Sequence, residues 1–448
     1  MMLHGSVNPF VEYRHHLDVY TRALDRGLSD EAYVELVTNL NEKVEAADGV
    51  GFTVTPLVEL DLASEGAGAG PVGAGAGPVT AKVETGAVGG SHKARHLFGL
   101  VLHYLIEDKA STETSSTRDL AIASCGNAAI GAAIVAKATM RRLQVFVPSN
   151  ADQAIMDRLD GLGAKITACP RDPSSIGDPC ITALDDAIAN GAQAFTVQGP
   201  RCPAVIDGCR TLGLELATQL DDASINPASI YIQIGGGALA TAVMDGLGRA
   251  WPNRRLPRLH PVQARAAHPF VAGWRRVVRS LLGPDDPGEE VSDWELAQFF
   301  NPLVADKDRV EVSALLAGRS ELMTPWPDPP HSVASGIIDD VTYDWLTLAT
   351  HQSTTGGWPI LVDEPTFSTA AVLAGDQISP PLPRPDETGA AGLAGLIEHH
   401  QAHSQDGGVD EPAVVLLTGA AQSGHRPRGS APQRSGRQRP AEGFRPLP

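Results

Sequence analysis

The segment Ser91-His92-Lys93-Ala94-Arg95 follows directly on Glu84-Thr85-Gly86-Ala87-Val88-Gly89-Gly90. This spacing puts a lysine in the first turn of an expected helix, beside a glycine-rich approach loop. A surface lysine has no need of that setting. An amine that must attack an aldehyde does, because it needs close backbone approach and a partly dehydrated pocket that favours its neutral form. Two more glycine-bearing turns lie downstream, Ser124-Cys125-Gly126-Asn127 and Gly235-Gly236-Gly237-Ala238-Leu239.

The second of these turns ends the apolar run Ser229–Ile234 and opens a helix. Exposed N–H groups and the helix dipole at such a point favour a phosphate dianion. No Gly-Lys-Ser/Thr follows, and the glycines lack the dinucleotide spacing, so nucleoside-triphosphate and dinucleotide loops are set aside. The same turn would also serve tight strand–helix packing with no ligand. Ser124, Cys125 and Gly126 open another helix and could hold a carboxylate by the same physics. Asn127 offers a donor and an acceptor, suited to a phenolic oxygen on a ligand ring. Ser and Asn are equally at home in an ordinary helix cap. Cys125 reads as a small buried residue rather than a nucleophile, since no basic partner is nearby in sequence.

Thr418 ends the apolar run Ala413–Leu417 beside Gly419. Its hydroxyl could pair with a ring nitrogen, or simply close a strand-end turn. Glu398, His399, His400 and His403 place histidines one helical turn apart, but without an H-E-x-x-H pattern, so no metal site is expected. There is no G-x-S-x-G elbow of the serine hydrolase kind.

These residues need a scaffold, and the chain supplies alternating strands and helices. Strands are expected at 81–84, 143–147, 165–168, 194–197, 229–234, 260–263, 359–362 and 413–417. Helices are expected at 92–108, 127–139, 151–162, 179–190, 206–220, 238–251, 338–351, 366–374 and 390–400. Such alternation implies parallel sheets with right-handed crossovers and ligand sites at the carboxyl ends of strands. Residues 265–331, rich in Pro and Trp, read as an irregular insertion near the site. Residues 63–79 read as a flexible Gly/Ala connector, whose G-x-G-x-x-G match at Gly68, Gly70 and Gly73 is rejected because no strand feeds it. Residues 420–448 read as a disordered basic tail, with six Arg and one Glu after position 420.

The bulk properties exclude several classes. The 448 residues suffice for two or three domains, and 42% hydrophobic content fits a globular protein. A net charge of -18 argues against nucleic acid or an anionic membrane as a partner. No apolar run reaches the ~20 residues of a membrane helix. No secretory signal is visible at Met1–Gly5, so a cytoplasmic protein is expected. The five cysteines (Cys125, Cys169, Cys180, Cys202, Cys209) have neither disulfide-framework nor zinc spacing.

Taken in order, the motifs resemble the fold-type II pyridoxal phosphate enzymes, the superfamily of tryptophan synthase β chain, threonine synthase, serine/threonine dehydratases and cysteine synthase. The likeness runs from Thr55-Pro56-Leu57 to Thr418-Gly419. It implies an α/β fold with two open, twisted, parallel-type sheets. A large discontinuous cofactor domain (1–118 and 205–419) would carry a smaller mobile domain (119–204). It implies pyridoxal 5'-phosphate as cofactor, with Lys93 condensing with its aldehyde. Asn127 would bond the ring 3'-hydroxyl, and Gly235, Gly236, Gly237, Ala238 and Leu239 would cradle the phosphate. Thr418 would face the pyridine nitrogen, while Ser124, Cys125, Gly126 and Asn127 would hold the substrate carboxylate. Asp207-Gly208-Cys209-Arg210-Thr211 resembles the family's turn into a helix, and Glu387-Thr388-Gly389-Ala390-Ala391 its late substrate-side loop.

His92 is closer to tryptophan synthase, whereas the triple-glycine turn and the Thr-Gly ending are closer to threonine synthase and the dehydratases. The implied activity is elimination with ammonia release, or replacement, at the β or γ carbon of a small hydroxy amino acid such as threonine or serine. Threonine synthase-type chemistry on a phosphorylated homoserine is the alternative. It would call for a basic pair such as Arg141-Arg142 or Arg275-Arg276. A degenerate cofactor-binding relative is a third reading, and a homodimer is among the expected assemblies.

Overall fold

The computed structural model describes residues 7–62, 77–110, 118–171, 178–327, 331–403 and 411–420. The connector at 63–79 thus lies largely outside the described residues, and the tail after Ala420 lies wholly outside them. Among the described residues, ten strands form two sheets. The larger contains β1 (Leu57–Leu60), β2 (Val79–Val83), β7 (Ser229–Gln233), β8 (Arg258–Ala264), β9 (Ile360–Val362) and β10 (Ala413–Leu417) in the order β1-β2-β10-β7-β8-β9. All its pairings are parallel except the β1 edge, which runs antiparallel to β2. The smaller sheet is wholly parallel, with β3 (Leu120–Ala123), β4 (Leu143–Pro148), β5 (Lys165–Cys169) and β6 (Gln193–Ala194) in the order β5-β4-β3-β6.

The central strands are buried along their whole length because helices cover both faces. Every residue of β2, β7 and β10 is buried. One core packs helices onto the six-stranded sheet. A second joins the four-stranded sheet to N-terminal helices within residues 9–48 through Phe10, Tyr33, Phe52, Leu97, Phe98 and Val101.

The Lys93–Ala110 helix bridges the two regions, and a glycine contact sets its position. A Cβ on Gly208, in the Val205–Asp222 helix, would come 2.2 Å from Arg95 O and 2.8 Å from Gly99 Cα. The two backbones therefore touch without intervening side chains. Gly208→Ala is expected to destabilise the protein by about 1–3 kcal/mol in urea unfolding, because the helices must separate. Gly161→Ala has open space around it and should be neutral or stabilising by up to about 1 kcal/mol. Equal unfolding midpoints for the two variants would show that the contact is not tight.

Several expectations need correction. Residues 338–344 are not helical: that helix is Trp345–Thr355. Asp344 N donates to Gly236 O at 2.8 Å and Trp326 N donates to Asp340 O at 2.7 Å, so this segment is laid against the glycine turn. Its β-branched Ile338, Val341 and Thr342 also weaken a helix there. Residues 265–331 are more regular than expected, with helices at Pro269–Leu282, Asp293–Val304 and Arg309–Ala317. The family-like Asp207–Thr211 segment lies within the first turns of its helix, where Asp207 accepts from the N–H groups of Asp18 and Val19.

Candidate active site

One cavity of about 450 Å³ lies between the two sheets. His92, Lys93, Ser124, Cys125, Gly126, Asn127, Gly235, Gly236, Gly237, Ala238, Leu239 and Thr418 all line it, so every predicted site residue meets the same space. Strand ends bring them there. β3 delivers the Ser124 turn, β7 the glycine turn and β10 Thr418, each at its carboxyl end.

Lys93 is the first residue of its helix and is partly exposed to the cavity. Gly89 and Gly90, at φ of 71° and 78°, turn the chain into it. Burial pushes the Lys93 amine below its ordinary range, opposed by Asp339, then Cys209 and Asp344. Neighbouring His92 is held well below the usual histidine value, chiefly by burial and then by Lys93. Its Nδ1 lies 3.1 Å from Thr418 O, an acceptor only, so Nδ1 carries the proton and Nε2 is a bare acceptor.

Thr418 is fixed from three sides. Its N–H donates to Gly389 O, and its carbonyl accepts from the His92 N–H. Its hydroxyl oxygen accepts from Gln233 Nε2 at 2.7 Å. The Gln233 amide is itself oriented by the carbonyls of Thr388 and Gly389, each 3.0 Å from Nε2. With a donor already on its oxygen, the Thr418 O–H is left to be given to an acceptor. Asn127 opens the Asn127–Ala138 helix close to Gly419, where an added Cβ would lie 3.1 Å from Asn127 Nδ2. Cys125 is exposed, which corrects the expectation of a buried thiol: it stands in the open turn between β3 and that helix.

The glycine turn runs into the Ala238–Ala250 helix through Gly237 at φ of 97°. A loop the sequence did not single out lies against it. A Cβ on Gly235 would come 2.5 Å from Asp339 Oδ2, and one on Gly236 would come 3.1 Å from the Tyr343 ring. Asp339 also interacts with the Gly236 N–H, yet burial pushes its carboxyl up to about 6. Burial likewise pushes Asp344 up to about 6, although its carboxylate accepts from the Gly199 N–H at 3.3 Å.

Beneath Lys93 lies a buried charge network. Arg95 Nε donates to Glu84 Oε2 at 2.8 Å, and Arg95 Nη1 donates to Glu215 Oε1 at 2.5 Å and Thr211 Oγ1 at 3.1 Å. Lys82 Nζ donates to Glu215 Oε2 and Thr55 O, both at 2.7 Å. All four charged side chains are at most 1% exposed. Burial raises the Glu215 carboxyl, but Arg95 and Lys82 outweigh it and hold the group below the usual range.

The donor set fits a phosphorylated aldehyde. It offers a partly desolvated amine, a hydroxyl free to donate to a ring nitrogen, and a glycine turn already facing an oxyanion in the form of Asp339. A family model described as pyridoxal-phosphate dependent enzyme matches residues 50–324. The chain belongs to this family. Pyridoxal 5'-phosphate is its cofactor. Solved structures agree in fold, that of the fold-type II pyridoxal phosphate enzymes. Maize serine racemase is 16% identical, with 86% of this chain and 93% of that one covered and a TM-score of 0.55. Threonine deaminase isoform 2 from Solanum lycopersicum is 16% identical over 86% and 85%, with a TM-score of 0.56. Diaminopropionate ammonia lyase from Escherichia coli is 16% identical over 87% and 89%, with a TM-score of 0.57. No curated protein sequence matches the chain.

The other residues considered from sequence lie elsewhere in this family member. Arg141 bonds Arg118 O and Gln193, Arg142 pairs with Asp119, Arg275 with Asp293, and Arg276 bonds Leu322 O and Thr324. None of the four lines the cavity. His399 is buried with Nδ1 2.5 Å from the Tyr231 hydroxyl; the side chain of His403 lies outside the described residues. No group of three metal-ligating side chains occurs among the described residues. No helix among them is long and apolar enough to cross a membrane.

Proposed function

We propose that this enzyme is a lyase that releases ammonia from a small hydroxy amino acid such as threonine or serine, leaving a keto acid. The observation that carries the reading is the convergence of Lys93, both glycine-bearing turns and Thr418 on one cavity. Pyridoxal 5'-phosphate, when bound, supplies an electron sink for chemistry at the α and β carbons. In this reading Lys93 holds the cofactor aldehyde. Gly235, Gly236, Gly237, Ala238 and Leu239 hold the phosphate on backbone N–H groups, Asn127 bonds the ring hydroxyl, and Thr418 donates its O–H to the pyridine nitrogen. A neutral donor leaves that nitrogen unprotonated, which suits elimination better than reactions needing a strongly stabilised carbanion.

Ser124, Cys125, Gly126 and Asn127 bind the substrate carboxylate. The Lys93 amine, neutral closer to physiological pH than an ordinary lysine, takes the α-proton. The β-hydroxyl leaves as water, and water returns on release of ammonia and keto acid. We assign closure over the substrate to residues 119–204, which carry the carboxylate turn and would exclude water as they approach the glycine turn.

Three measurements test the reading. The purified protein with cofactor should absorb in the visible and lose that band on borohydride reduction. Threonine or serine should then yield keto acid and ammonia. Inversion of the α carbon without ammonia would point to a racemase, and phosphate release from phosphorylated homoserine to threonine synthase-type chemistry. The latter has less support, since Lys93 is the only Lys or Arg among the described cavity residues. A protein that stays colourless with added cofactor would be the degenerate relative.

A further inference from the structure

The glycine turn faces an anion of its own. Asp339 presents its carboxylate to the turn that the reading above gives to the cofactor phosphate: Oδ2 lies 2.5 Å from where a Gly235 Cβ would stand, and the carboxylate interacts with the Gly236 N–H. A phosphate bound on that N–H would need the same position. We propose that Asp339 is an internal anionic plug of the glycine turn, which the cofactor's phosphate must displace or find protonated before it can seat.

The surroundings support this. The charged and titratable groups facing Asp339 are Lys93 from its helix, Asp340 from its own loop and Asp178 from the start of the Pro179–Ala189 helix. Tyr343, on the same loop, also feels its charge. Only Lys93 among them stabilises the carboxylate. Two like charges at van der Waals distance in a partly dehydrated cavity repel strongly. Burial has already drawn Asp339 towards its neutral form, with its carboxyl near 6. The plug therefore weakens as pH falls through that value and is fully charged above it. The loop carrying it is anchored before Asp339 by Gly336 N on Thr388 Oγ1 and after it by Trp326 N on Asp340 O and Asp344 N on Gly236 O, so the backbone that presents the carboxylate is held in place.

The inference rests on the glycine turn holding phosphate, and the test separates the two claims. Equilibrium dialysis of the apo protein against pyridoxal 5'-phosphate, and against pyridoxal lacking the phosphate, is compared for wild type, Asp339→Asn, Asp339→Ala and Asp340→Asn. The ratio of variant to wild-type affinity cancels the phosphate's own titration. For both Asp339 variants it should be within about threefold at pH 5.5 and about tenfold or more at pH 8, for the phosphorylated ligand only. Asp340→Asn should stay within about threefold at both. Ratios near one at pH 8, while wild type still prefers the phosphorylated ligand, would overturn the plug and leave the phosphate turn standing. An Asp340→Asn effect as large as that of Asp339→Asn would replace the contact by general charge, and also overturn it. Equal wild-type affinity for the two ligands would remove the phosphate turn, and the plug with it. Two Asp339 variants guard against one of them failing to fold.

Discussion

Lys93→Ala is expected to abolish the visible band of the cofactor-loaded protein and to lower keto acid formation by about 10³-fold or more. The change removes the one amine that the cavity presents to an aldehyde, and with it the group assigned to the α-proton. The fold should survive. The Lys93 side chain is partly exposed and takes no part in the buried network below it, so urea unfolding of the apo protein should move by less than about 1 kcal/mol. The pH dependence supplies an independent check. Because burial lowers the Lys93 pKa, its protonated fraction disappears at lower pH than for a free lysine. Trapping of added cofactor by borohydride should therefore rise with pH and level off well short of ~10.4, the ordinary lysine value. Trapping that follows the free-lysine curve, or a variant that keeps its colour, would move the aldehyde to another amine.

Arg95→Ala carries the largest expected cost in stability, about 3–5 kcal/mol in urea unfolding, and Glu215→Ala a similar one. Each change leaves charges stranded in a region that is at most 1% exposed: Glu84 and Glu215 in the first case, Arg95 and Lys82 in the second. Removing a partner this way costs far more than a surface pair is worth. The network also ties four segments together: the Thr55 loop, β2 through Lys82, the lysine-bearing helix through Arg95, and the Val205–Asp222 helix through Glu215. Arg95 is two residues from Lys93, so partial rescue that restores folding at low temperature should still leave cofactor binding weakened. The double change Arg95→Ala with Glu215→Ala should cost less than the sum of the two singles, since they share one set of bonds. Strict additivity, or an Arg95→Ala cost below about 1 kcal/mol, would mean that water reaches the network.

The strands at 143–147, 229–234 and 413–417 were legible because they are largely apolar, short and bounded by turn residues, and that at 165–168 because Gly163 ends the helix before it. The convergence of Lys93, the two glycine-bearing turns and Thr418 on one cavity was legible because the glycines beside them mark places where the backbone itself must be close to something. β3 was not recognised, since Leu120-Ala-Ile-Ala123 is only four residues long and its partners are remote in sequence. The Asp293–Val304 and Arg309–Ala317 helices were missed although Ser292-x-x-Glu295 and Asp308-x-x-Glu311 are both capping boxes. The Pro content there masked them, while Pro269 in fact opens a helix. Asp339, Gln233 and the Arg95 network were invisible for a different reason. Nothing in a lone Asp, Gln or Arg announces which loop will be folded against it. Their meaning arises only when segments more than a hundred residues apart are brought together, as Gln233 meets Thr418.

The placement of β10 between β2 and β7 has a bearing on how the molecule is made. A ribosome emits β2 and β7 long before their shared neighbour, and until residues 413–417 emerge each offers a bare edge to the cell. Nascent protein is thus exposed to wrong pairing for most of its synthesis. Thr418 and Gly419 arrive with that strand, so in the reading proposed above a polypeptide interrupted before it would lack the donor to the ring nitrogen and keep two adhesive edges.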